Sequence, residues 1–273
     1  MTAALADPLI NGMAIDRILP VHESSRRLRK LAPESPRVHG VAVMSDIARR
    51  RWWPLATAVP SGRVRHMFEG AAGELDNRRA AARQLAATFT HGVLGRVVTL
   101  MVLEGRAWDP GPENLWMHVD SEGAIDWAGV TDPTLRVLPE DPAATGVVRL
   151  PGETALATWV AHRCHRSLEP IFGELERLSR GALGQSSMWQ TVGAAVVVSA
   201  TRTPLLSGAS ELVCMRRGQA ILDALTCFGL PVRAPRRSPE GCRDSRCIGE
   251  DGPRVSHAGS VPVNTDACNQ SSR

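Results

Sequence analysis

Three cysteines, Cys242, Cys247 and Cys268, stand in a closing stretch whose composition differs from everything before it. From Pro239 to Arg273 there is no Leu, Met, Phe or Trp, so this stretch cannot bury a core. A bound metal or cluster is one physical reason for such a segment to be ordered. Cys242 and Cys247 flank Arg243-Asp244-Ser245-Arg246, and the arginines favour the thiolate, the form that ligates metal or reacts. Cys242 and Cys247 are therefore the candidate metal ligands, with Cys268, or His257, as a more distant one. The alternative is a terminal segment whose cysteines are incidental. No residue is assigned as a catalytic acid, base or nucleophile.

A second constellation, His162, His165 and Glu169, has the three- and four-residue spacing that brings side chains within about sixty degrees on one helix face. Such a face can chelate a metal if further ligands arrive from elsewhere, and is otherwise a polar surface. Cys164, Cys214 and Cys227 sit in or at the ends of apolar helical stretches, where a thiol packs as a small hydrophobe. The sequence has no glycine-rich dinucleotide loop, phosphate loop, zinc-protease helix or nucleophile elbow. Lys30 is the only lysine, which argues against Schiff-base and kinase-like chemistry. The formal charge of +4 comes without a basic stripe interleaved with aromatics, so no nucleic-acid partner is expected.

These residues need elements to position them. The periodicity predicts a helix over 75–104, with Leu85, Phe89, Val93, Val97 and Leu100 on one stripe, Gly105 at its C-cap and His91 on the opposite, solvent-facing side. Alternating residues on either side of Asp120-Ser121-Glu122-Gly123 predict a β-hairpin over 114–127. Val38 to Met44 is the best strand candidate before it, and Arg26, Arg27, Arg29 and Lys30 read as a solvated helix face. A proline-rich loop spans 132–151. Helices are then expected over 152–168, from Pro170 to Gly181, over 185–201 and over 209–228, the last using Leu212, Ile221, Leu225 and Phe228 as its buried stripe. The fold class is α+β: mainly helical, with a small antiparallel β-hairpin or sheet and an irregular C-terminal tail. The divisions are an irregular region 1–70, a helical body with hairpin over 71–238 and a cysteine-containing tail over 239–273. The N-terminus has no cationic start or sustained apolar run, so cytoplasmic residence is expected, with thiols or metal ligands favoured over disulfides. Membrane association is expected to be peripheral at most.

The succession of features is more specific than any one of them. A long helix ends in Leu103-Glu104-Gly105-Arg106, a short loop leads to Glu113-Asn114-Leu115-Trp116, and a hairpin follows with Asp120 and Gly123 at its turn. Met188-Trp189 opens a later helix, and Arg236-Arg237-Ser238 follows the last one. Over roughly 75–238 this order resembles the FhuF-like ferric-siderophore reductase family. The resemblance implies one-electron reduction of siderophore-bound Fe(III) to Fe(II), a 2Fe-2S centre, a ferric siderophore as substrate and an external electron donor such as a ferredoxin, flavodoxin or flavin reductase. That family places two adjacent cysteines and then Cys-x-x-Cys after the Arg-Arg-Ser-like segment. Here Pro239 and Glu240 stand at the adjacent pair and no Cys-x-x-Cys follows. Either the ligand set was rebuilt from Cys242, Cys247 and Cys268 or His257, or the tail is out of frame or eroded, leaving a cofactor-free siderophore-handling or protein-interaction module. On the reductase reading Arg233, Arg236 and Arg237 attract anionic chelates and Trp116 or Trp127 stacks on an aromatic one, the bland alternatives being solvation and core packing.

Overall fold

The central helix of the body is buried on every side. In the structure, a computed structural model that describes Leu9 and residues 12–233, every residue from Gly92 to Val102 is buried. Apart from Arg96 and Thr99 this stretch is apolar or glycine, and a helix so nearly apolar all round sits inside the molecule. It is flanked by two helices before it and three after. In chain order the helices are α1 (Pro20–Lys30), α2 (Arg63–Leu75), α3 (Arg78–Thr90), α4 (Arg96–Glu104), α5 (Glu153–Leu178), α6 (Gln185–Ser207) and α7 (Glu211–Cys227). One π-helical turn, His91–Gly95, joins α3 to α4. The expected helix therefore exists but is composite: Asn77 caps its start by accepting from the Ala80 N–H at 2.9 Å, and Gly105, at φ 68°, ends it in the left-handed conformation glycine tolerates. By length and composition Arg78–Glu104 could cross a membrane, but its apolar window is mostly covered by the rest of the body, as for a core helix.

Two small mixed sheets complete an α+β fold. The first has strand order β1-β5-β4-β2, from β1 (Val41–Val43), β2 (Trp52–Pro54), β4 (Leu115–Val119) and β5 (Ile125–Val130). The expected hairpin is its centre, with Met117 opposite Ala128 and a bulge after His118. β2 adds antiparallel to β4, whereas β1 runs parallel to β5, so the sheet is not purely antiparallel. The second sheet, order β3-β6-β7, joins β3 (Arg106–Ala107), β6 (Leu135–Val137) and β7 (Val147–Arg149), placing two short strands inside the stretch expected to be loop.

The described residues belong to one compact unit, Met1–Ala234, and a boundary at residue 70 falls inside α2. Pro170 does not open a new helix; α5 runs through it. The proline lies on the exposed side, where a missing N–H bond to the preceding turn is repaired by water, while Leu168, Ile171, Phe172 and Leu175 hold the buried side continuous. In α7 the stripe is shifted: Cys214, Gly218, Ile221, Leu222 and Leu225 are buried, and Leu212 and Phe228 are exposed. Two helical glycines set close packing. A Cβ on Gly218 would lie 2.6 Å from the Ala200 Cβ, and one on Gly193 would lie 1.9 Å from the Val232 carbonyl oxygen.

Candidate functional site

Cys242, Cys247, Cys268 and His257, with Arg236, Arg237 and Ser238, lie outside the described residues. The other sequence candidates can be placed. His165 Nε2 lies 3.1 Å from Glu169 Oε2 on α5, but His162 turns to Phe228 (ring centroids 5.9 Å apart) and His165 also packs edge-on against Trp189 at 5.5 Å. These rings are taken up by aromatic neighbours, and among the described residues no three His, Cys, Asp or Glu side chains converge as metal ligands. Cys164 and Cys214 are buried, as their apolar settings imply, and burial pushes both thiols above the ordinary cysteine range. Cys227, expected to be buried, is exposed because α7 ends there.

The residues that carry the resemblance brace the body. Glu104 accepts from Ser24 Oγ at 2.7 Å and from both Arg27 Nε and Nη2, so Arg27 is not merely solvated. Arg106, almost buried, forks onto Asp141 at 2.6 and 3.0 Å. Asn114 accepts from the Thr131 and Asp132 N–H groups at 3.0 and 2.6 Å and donates to the Asp109 carbonyl at 2.9 Å, clamping both ends of the hairpin. Trp127 is fully buried beside Met44 and Trp52, which answers the stacking idea for that ring. Trp116 is only partly buried and carries the Arg49 guanidinium 5.2 Å from its ring centroid. Arg233 is paired with Asp223 at 2.7 Å.

Two cavities meet where α1, α4 and α6 approach one another, sharing Leu31 and Leu206. The larger, about 670 Å³, contains Arg27, Arg106 and Arg217, but their guanidiniums are engaged by Glu104, Asp141 and Glu153 of the surrounding structure. Lys30 is the one cation in its wall with no partner among the described residues.

The smaller cavity, about 370 Å³, is the chemically distinctive one. Its floor is the π turn. His91 Nε2 lies 2.8 Å from the Val38 carbonyl, which can only accept, so this nitrogen carries the proton. The other ring nitrogen lies over Gly95, where any Cβ would approach to 2.9 Å. The His39 ring meets His91 edge-on at 6.2 Å, and its Nδ1 is buried with no hydrogen-bond partner. Behind both stands Arg96, whose side chain donates to the carbonyls of Arg37, Gly40 (2.9 Å) and Asp126 (2.9 Å). Burial lowers Arg96 to about 10, which leaves it cationic at neutral pH. Burial first, and the Arg96 charge second, push His91 down to about 4 and lower His39 as well, so both imidazoles are neutral at pH 7. Thr99, Ser199 and Thr203 supply hydroxyls, Leu31, Val38, Ala195, Val198 and Leu206 supply apolar walls, and Arg202 stands at the rim. Among the described residues no Asp or Glu lines it.

This cavity was missed in the sequence because His91 falls opposite the apolar stripe of an uninterrupted α-helix. The extra residue of the π turn changes that phase, and the two glycines in His91-Gly92-Val93-Leu94-Gly95 were the available signal. No family model matches this sequence, and no curated protein matches it either.

Proposed function

We propose that the protein is a ferric-siderophore reductase-like protein, in which chelated Fe(III) takes up one electron and is released as Fe(II), the electron coming from an external carrier by way of a 2Fe-2S centre. The observation that carries this reading is the order of features: a helix closed at Gly105, Glu113 to Trp116 leading into a hairpin that turns at Asp120 to Gly123, and Met188-Trp189 in the first turns of α6. A 2Fe-2S centre, when bound, moves one electron at a time, and oxygen-donor chelators hold Fe(III) far more tightly than Fe(II), so reduction is itself the release step. The described residues do not fit that cluster: two of their three thiols are buried singly and no ligand group converges. Its ligands would therefore come from beyond Ala234, where Cys242, Cys247, Cys268 and His257 are the donors the sequence offers.

Pro239 and Glu240, standing where the family has its adjacent cysteines, favour a second reading, a cofactor-free siderophore-handling or protein-interaction module. Anaerobic reconstitution of the full chain with iron and sulfide, followed by visible and EPR spectra and iron and sulfide analysis, separates the two. The reductase reading expects a coloured protein whose cluster is lost in Cys242→Ser and Cys247→Ser. A colourless full-length protein without labile sulfide rejects it and leaves the binding module.

A further inference from the structure

We infer that the cavity over the π turn is a binding site for a small organic anion with an apolar body, such as a medium-chain carboxylate. Several observations converge on that class. Among the described residues its wall holds no carboxylate to repel an anion. Arg202 is exposed at the rim and, among the described residues, has no hydrogen-bond or ion-pair partner, unlike the guanidiniums of the neighbouring cavity. A charge-assisted bond to a bound carboxylate is the interaction its position leaves open. Deeper in, Arg96 is an interior cation held by backbone carbonyls, and its nearest carboxylate, Asp126, is already engaged by Arg37 and by His118 Nδ1 at 2.6 Å. The two charged side chains placed at the cavity, Arg202 at its rim and Arg96 behind its histidines, are thus both cations.

Polar groups are also available for orientation. The only side-chain contact of Ser199 Oγ among the described residues is a weak one, 3.4 Å from Thr99 Oγ1, and His39 Nδ1 lacks a partner. Thr99 and Thr203 are less available, since their hydroxyls donate to the Gly95 and Ser199 carbonyls at 2.8 and 2.6 Å. The remaining lining is aliphatic: Leu31, Val38, Ala195, Val198 and Leu206 would cover an alkyl or aryl body, and about 370 Å³ is within the size range of small-molecule sites. A π turn beside the cavity fits this use, as such turns recur at functional sites.

The site stands whether or not the chain carries a cluster. Isothermal titration calorimetry of the full chain with sodium octanoate and with octan-1-ol isolates the charge while holding the apolar body constant. Saturable one-to-one binding of octanoate is expected, with octan-1-ol at least about tenfold weaker, the effect of one charge-assisted hydrogen bond. Arg202→Gln should lower octanoate affinity at least about tenfold and leave octan-1-ol unchanged, while Arg50→Gln, a change at another exposed arginine, should alter neither. Equal affinities for the two probes, octanoate affinity that survives Arg202→Gln, or no saturable binding of octanoate would each overturn the assignment.

Discussion

His91 sits between a carbonyl it must donate to and a cation it must not join. A proton on Nδ1 would place a second charge near Arg96 on a largely buried ring, so the folded protein keeps the ring neutral down to about pH 4. The unfolded chain takes up that proton near pH 6.5. Between the two values the unfolded state binds more protons, so stability falls as pH drops from 6.5 towards 4, by at most about 3 kcal/mol from this residue. His39, lowered by burial and by Arg96 and Arg202, adds to the loss in the same direction. Urea unfolding at pH 7 and pH 4.5 should show it. In His91→Gln, whose amide can still donate to Val38, the loss should shrink by more than half, and an unchanged pH dependence would reject this account.

Elements in this fold are positioned by the absence of side chains as much as by their presence. α6 meets the chain after α7 where Gly193 lies under the Val232 carbonyl, a contact with backbone that cannot swing aside. Gly193→Ala should therefore lower stability by about 2 kcal/mol despite alanine's better helix propensity. Gly70→Ala in α2, where nothing stands within 4 Å of the added carbon, should raise it by up to about 1 kcal/mol. Urea midpoints of the two variants moving the same way would refute the packing argument. The same scale explains what the sequence disclosed. The helix ending at Gly105, the hairpin about residues 120–123 and the burial of Cys164 were legible because each depends on near neighbours in the chain. The phase change at His91, the passage of α5 through Pro170 and the exposure of Leu212 were not, because an inserted turn, an exposed proline edge and a shifted packing face are decided by partners far away in sequence. The cavity residues come from the loop after α1, the π turn, α4 and α6, so no local pattern could assemble them.

At the scale of the whole molecule, the core clusters among the described residues run from Val21 to Val232 and fall in the unit that ends at Ala234. A chain ending at Ala234 should accordingly unfold at the same urea concentration as the full chain, to within about 0.5 kcal/mol in stability, since the segment removed has no Leu, Met, Phe or Trp to bury. Loss of cooperative unfolding in the shortened chain would show that the closing segment belongs to the body. If the shortened chain is stable but fails to take up iron and sulfide while the full chain succeeds, the redox centre is assigned to that segment alone.

The strand order β1-β5-β4-β2 also imposes a sequence in time. Both outer strands are made first and both inner strands later, so Val43 has no partner until Val130 has left the ribosome. At ordinary rates of synthesis that is a wait of roughly several seconds, far longer than the microseconds a hairpin needs to close. The β4–β5 hairpin is thus the template on which the earlier strands settle, and Trp52, Trp53 and the Val41–Val43 segment, buried in the finished protein, spend that interval exposed. Nascent chains are most exposed to misassociation between the synthesis of residue 54 and residue 130, and a chaperone acting on this protein has its work in that window.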